Sequence, residues 1–138
     1  MANHLEGTKT VAKVASVTTD GGSFTHEIDT YGADYVSVDV VYSTFTATSA
    51  AYATLKVQHS DTSGSGQVDV LTTTAAAGVT TGNHVARFNV DMRGKKRYLT
   101  VVGSPAKPAT VCSVARLSKM EDEPYNATTA GVSNYVSG

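Results

Sequence analysis

A chain of 138 residues with a formal net charge of −1 and 17% charged residues is one domain's worth of polypeptide, and it lacks the basic excess of a general nucleic-acid binder. Its single cysteine, Cys112, excludes an internal disulfide, so the fold has to stand on packing or on self-association. The N-terminal ten residues carry Glu6 and no apolar core, unlike a signal peptide, and no apolar run approaches the roughly 20 residues that span a bilayer; neither nucleic acid nor membrane is an expected partner.

Taken in chain order, a hydrophobic period of two predicts eight strands, separated by clusters of Gly, Pro, Asn and Ser. The first covers 10–19 with weak alternation and ends at a turn of Asp20, Gly21 and Gly22. The second, 23–31, alternates most clearly, with Phe24, His26 and Ile28 on one face and Thr25, Glu27 and Asp29 on the other. The third, 34–43, puts Val36, Val38, Val40 and Tyr42 on one face. The fourth, 52–59, opposes Leu55 and Val57 to Lys56 and Gln58, and a short fifth, 67–71, follows a Ser/Gly turn. The sixth, 84–92, sets Ala86, Phe88 and Val90 against Val85, Arg87, Asn89 and Asp91. The seventh, 96–102, sets Leu99 and Val101 against Tyr98 and Thr100; the eighth, 110–118, sets Val111, Ala115 and Leu117 against Cys112, Val114 and Arg116.

One wet and one dry face per strand is the signature of an antiparallel sandwich. No crossover helix separates the strands, which argues against a parallel sheet. Eight runs of similar length predict an all-β, jelly-roll-like sandwich; an immunoglobulin-like sandwich would carry a Cys…Trp…Cys pattern, and the chain has no Trp. The expected core is Phe24, Ile28, Val36, Val38, Val40, Leu55, Val57, Phe88, Val90, Leu99 and Leu117. Residues 1–9 read as an N-terminal arm, 10–119 as the sandwich and 120–138 as a tail without strand or helix pattern. Two long connections, 43–51 and 72–83, consist of small residues with Phe45 in the first.

Candidate chemistry is sparse. His4, His26, His59 and His84 show no metal-ligand spacing and read as exposed or loop-satisfying polar groups. His59, Ser60 and Asp61 are adjacent, and neighbours on a strand point apart, so they form no relay. Asp61 followed by Thr62, Ser63 and Gly64 reads as a turn capped by its own carboxylate, since a calcium loop needs more carboxylates. Gly64 and Gly66 precede a strand, not a helix that would bind phosphate. Asn126 opens a glycosylation acceptor that matters only in a secreted protein. No enzyme, metal or cofactor is expected. Arg93, Lys95, Lys96 and Arg97 form a basic hairpin tip, readable as a solvated turn that discourages edge pairing or as a docking knob for an acidic surface.

Three stretches carry a resemblance. Residues Leu55, Lys56, Val57, Gln58, His59, Ser60 and Asp61, then a Ser/Gly turn and Val68, Asp69 and Val70, resemble head-associated structural proteins of tailed bacteriophages. The hairpin from Arg87 and Phe88 through Asp91, Arg93, Gly94, Lys96, Arg97 and Tyr98 to Leu99 is similar to one in that family, as is the closing strand Ser113, Val114, Ala115, Arg116, Leu117 and Ser118. The resemblance covers roughly 35–123. It implies a jelly-roll capsid decoration (cement) protein, often trimeric, that is made in the host cytoplasm, sits on the outer capsid surface, binds the major capsid protein and stabilises the shell. Docking is then expected from the arms and loops: the 1–8 segment, the tail residues Tyr125, Tyr135 and Val136, and Arg93, Lys95, Lys96 and Arg97. The alternative is a carbohydrate-binding or host-adhesion sandwich, against which stand the missing Trp and tyrosines that do not share a loop.

Overall fold

Val, Ile and Thr are stiff at χ1 and pack well on a pleated surface, and the alternating segments form the eight strands their pattern predicts. The computed structural model describes residues 8–17, 23–42, 54–74, 84–104, 109–120 and 127–133. The strands are β1 (Lys9–Val17), β2 (Phe24–Asp29), β3 (Ala33–Tyr42), β4 (Thr54–Ser60), β5 (Val68–Thr74), β6 (His84–Asp91), β7 (Tyr98–Ser104) and β8 (Ala109–Met120), followed by a helical turn α1 (Ala127–Ala130).

Two four-stranded sheets result, ordered β1-β8-β3-β6 and β2-β7-β4-β5. The antiparallel pairs β1/β8, β2/β7, β3/β6 and β4/β5 nest like one long hairpin. Further antiparallel pairs β3/β8 and β4/β7 join the folded hairpin into sheets. This is the jelly roll: the hairpin is rolled so that alternate strands fall into opposite sheets.

The eleven expected core residues are all buried, joined by Tyr42, Met92, Val101, Val111 and Ala115. They fill the space between the sheets in rows set by register, one of which places Gly103 between Phe24 and Leu55. A Cβ at Gly103 would stand 3.0 Å from the Leu55 side chain, so glycine is there to admit two large neighbours.

The strand ends differ from the expected ones where pairing overrides pattern. β1 is Lys9–Val17, beginning inside the expected N-terminal arm. β5 extends through Thr74, because Thr72, Thr73 and Thr74 pair with Lys56, Leu55 and Thr54; the expected small-residue connection therefore starts three residues late. Lys96 and Arg97 lie in the turn before β7, which continues to Ser104 alongside β4. β8 reaches Met120 by pairing with Ala33.

The described part of the tail folds onto its own chain. Ala130 is buried, and Gly131, at φ +71°, abuts β1 so closely that a Cβ would lie 2.1 Å from the Thr10 carbonyl oxygen. Only glycine satisfies both that backbone conformation and that approach. The 20–22 turn, most of the N-terminal arm, the 43–51 connection, His4, Asn126, Tyr125, Tyr135 and Val136 lie outside the described residues.

Candidate functional site

The short connections 30–32, 61–67 and 92–97 gather at one end of the sandwich, beyond Asp29, Ser60, Asp91 and Tyr98. Antiparallel folding places residues far apart in sequence side by side there. Arg97 donates from Nε and Nη2 to the two carboxylate oxygens of Asp29, at 2.9 and 2.7 Å. Its guanidinium lies 5.1 Å from the ring centroids of both Tyr31 and Tyr98. Its carbonyl accepts from the Thr30 backbone N–H and from the Thr30 hydroxyl. The side chain is thus gripped along one edge, touched by two aromatic rings and anchored through its own backbone.

A second unit of the same kind stands on the other sheet. Arg93 donates from Nε and Nη2 to Asp91, at 2.9 and 2.6 Å, and lies 5.0 Å from the Tyr35 centroid. Lys119 approaches the same ring, at 5.8 Å. The paired guanidinium holds the Asp91 carboxyl down to about 2, and Arg97 likewise lowers that of Asp29 through its hydrogen bonds. Lys96 pairs with Asp61 at 3.0 Å, and its backbone N–H donates to His59 Nδ1 at 3.3 Å. Lys95 has no ion-pair partner among the described residues. The four cations expected from the sequence do meet at one end, but three are matched by aspartates. The result is a charge-compensated surface with oriented groups. A cleft of about 250 Å³ opens there, lined by Thr30, Tyr31, Ala33, Met92, Lys95 and Arg97 among others.

Two polar clusters lie elsewhere. His26 is buried, and its Nδ1 is 2.9 Å from the Ser113 hydroxyl on the facing sheet. This corrects the reading of the histidines as exposed or loop groups: β2 is an edge strand, yet its His26 shares the inward face with Phe24 and Ile28. Burial, and then the nearby Lys13 charge, push its pKa below the ordinary histidine value. On the outer face of the second sheet, the Glu27 carboxylate accepts from the Ser63 hydroxyl and from the Gly64 N–H. The 61–66 turn is thereby tied to β2 through Glu27, while the Asp61 carboxylate, expected to cap it, pairs with Lys96. Beneath it Thr100 is buried, with its hydroxyl oxygen lacking a hydrogen-bond partner among the described residues.

The outer face of the first sheet carries an apolar row, Val14, Cys112, Val41 and Val85, aligned across all four strands. Val14 and Val85 are 68% and 64% exposed. The next row holds the bidentate Arg87–Asp39 pair. Among the described residues no three of His, Cys, Asp and Glu gather as a metal cluster, and no described helix is long and apolar enough to cross a membrane.

Sequence reasoning found the cations of the turn end and missed their setting. Asp29 is 68 residues from Arg97. Tyr31 sits in a connection and Tyr98 opens β7, so a search for aromatics within one loop passes over them. His26 was placed correctly on the apolar face; the polar partner that explains it is 87 residues away. No protein-family model matches the chain, and a search of curated proteins returns no match.

Proposed function

We propose that this jelly roll is a virion structural protein that docks on the outer capsid surface of a tailed bacteriophage and stabilises the shell. The observation that carries the reading is the turn end. Its arginines are held by aspartates and tyrosine rings, as in a surface preorganised to meet another surface. The sequence resemblance to head-associated proteins supplies the partner, the major capsid protein. The exposed Val14–Val85 row supplies further contact area of the kind found at interaction sites.

The physics of such a role is multivalent. Packaged DNA presses capsomers apart, and a protein bridging several subunits adds binding energy that only the assembled shell receives. Modest contacts repeated around a small cyclic oligomer act as one clamp; a trimer, made in the host cytoplasm, is the form the resemblance implies. The test is cosedimentation of purified protein with expanded phage capsids lacking it. Saturable cosedimentation is the expected result, and protein left in the supernatant at micromolar concentration overturns the reading.

A second reading has one specific observation in its favour. Tyr31, 70% exposed, and Tyr98 flank Arg97 and Asp29, an aromatic-plus-polar arrangement of the kind that holds sugars. A carbohydrate-binding or host-adhesion role predicts selective signals on a glycan array.

A further inference from the structure

We propose that the cleft at the turn end is a carboxylate-binding site that takes an acidic side chain from a peptide segment of a partner protein. The inference rests on reading the chain as a binding protein, and not on the identity of the shell.

The argument starts from donor geometry. A guanidinium has five N–H donors in a planar fork. Asp29 uses Nε–H and one Nη2–H of Arg97. The other three have no acceptor among the described residues, and two of them, one on each Nη, point the same way at the end of the fork. That end is the second edge on which a guanidinium binds a carboxylate in two parallel hydrogen bonds. Asp29 on the first edge and the rings of Tyr31 and Tyr98 fix the plane of the fork before a ligand arrives, which lowers the entropy lost on binding.

The second element is charge. Lys95 lines the same cleft as Arg97 and is exposed, with no carboxylate paired to it among the described residues. Lys95 couples electrostatically to Asp91, but Arg93 already grips that carboxylate in two hydrogen bonds. Among the described residues Lys95 is thus the cation of this end without an ion pair of its own, and an incoming carboxylate supplies one. Ala33 and Met92 in the lining offer apolar contact to the methylene groups of a Glu side chain. The available volume of about 250 Å³ admits one such side chain with its flanking backbone. A neutral sugar would use Tyr31 but leave the Lys95 charge and the Arg97 edge unanswered.

The experiment is titration of the full-length, isotope-labelled protein with a hexaglutamate peptide, followed by backbone amide shifts. A hexaglutamine peptide and a sialylated oligosaccharide serve as the other arms. The expected result is salt-sensitive shifts at Tyr31, Lys95 and Arg97 with hexaglutamate and none with hexaglutamine. Lys95→Glu, at a side chain with no hydrogen bond or ion pair among the described residues, should weaken the peptide by about tenfold or more, as loss of one charge-assisted contact predicts. Arg97→Lys should weaken it similarly while Arg87→Gln, on the outer face of the first sheet, leaves it unchanged; thermal melting checks the fold of each. Parent-like binding by Lys95→Glu, shifts that avoid these residues, or binding of the sialylated sugar without the peptide overturns the proposal. Capsid cosedimentation of the same variants separates the two readings. If the parent protein fails to sediment but binds hexaglutamate as described, the virion role falls and the cleft stands. If the parent sediments and Lys95→Glu sediments equally well, with no peptide shifts in the cleft, the cleft falls and the virion role stands.

Discussion

The two ends of the sandwich are built from different materials. At the turn end Ile28 stands beside Leu99, and Val36 stands between Leu117 and Val90; the polar groups buried there, Thr30 and Ser60, are untitratable hydroxyls that donate to the Arg97 and Thr62 carbonyls. The outside there is charged and tied by the pairs Arg97–Asp29, Arg93–Asp91 and Lys96–Asp61. Toward the other end, where β1, β3, β5 and β7 finish and β2, β4, β6 and β8 begin, large side chains such as Phe24, Leu55 and Tyr42 alternate with small ones and with a buried titratable group: Ser113 faces His26, Gly103 separates Phe24 and Leu55, and Ala86 pairs with Val40. The connecting sequences 18–23, 43–53, 75–83 and 105–108 carry only Asp20 and Lys107 as charges. Apolar packing is insensitive to pH, whereas a buried polar pair is not. The two ends should therefore respond differently to truncation, overpacking and acid.

The largest effect belongs to the turn end. Leu99 is fully buried, and Leu99→Ala is expected to destabilise the fold by about 2–5 kcal/mol through lost transfer energy and a residual cavity. Urea unfolding measures it, and a loss below that range would mean the apolar end collapses around the gap. Second comes overpacking at the other end. Gly103→Val puts a branched side chain against Leu55 at a site where even a Cβ is tight, with an expected cost of about 1–3 kcal/mol. A neutral result would show that the small-residue end has slack.

The contrast explains what the sequence disclosed and what it withheld. Strand positions were legible because period two is local: Phe24, Ile28 and the Val36–Val38–Val40 alternation each declare their inward face without reference to any other strand. Which strands meet was not local. Only β4 and β5 pair across a short turn; β1 meets β8 across about the whole chain, and only the jelly-roll expectation supplied that. The site suffered most, since it is made of such meetings. Asp91 sits two residues from Arg93 and was readable as its partner; Asp29 and Asp61 reach Arg97 and Lys96 only through topology. The α1 turn is too short to show a period of 3.6, and its real signal is Gly131, whose need for a left-handed φ against Thr10 is invisible without the contact.

Next in size is the polar pair itself. Ser113→Ala leaves the buried His26 Nδ1 without its neighbour and should cost about 1–3 kcal/mol, while the double change with His26→Leu should recover much of that by removing both polar groups. The pair also gives this end its pH response. Folding lowers the His26 pKa below 6.5, so the unfolded chain binds the proton more readily. The contribution is complete above pH 6.5 and is lost progressively as the pH falls toward the lowered folded value. Between pH 7 and 5 the parent should lose more stability than the double variant, measured by urea midpoints; parallel curves would remove His26 as the cause.

The smallest effect tests the wiring at the sandwich edge. Lys13 on β1 is in register with Ser113, and its Nζ donates to the Thr25 carbonyl of β2 at 2.6 Å, clasping the edge strands of the two sheets beside His26. Its positive charge disfavours protonated His26, second to burial as a cause of the lowered pKa. The Lys13 ammonium also lies 5.7 Å from the Phe24 ring centroid, and Lys13→Met keeps an unbranched side chain there while removing the charge. The His26 ring resonances should then titrate at a higher pH than in the parent, yet still below the ordinary histidine value, because desolvation remains. Added salt should move the parent toward the variant, since the Lys13 charge is exposed and screened. An unchanged titration would assign the whole shift to burial, and a downward one would mean that the clasp had been keeping water near the ring.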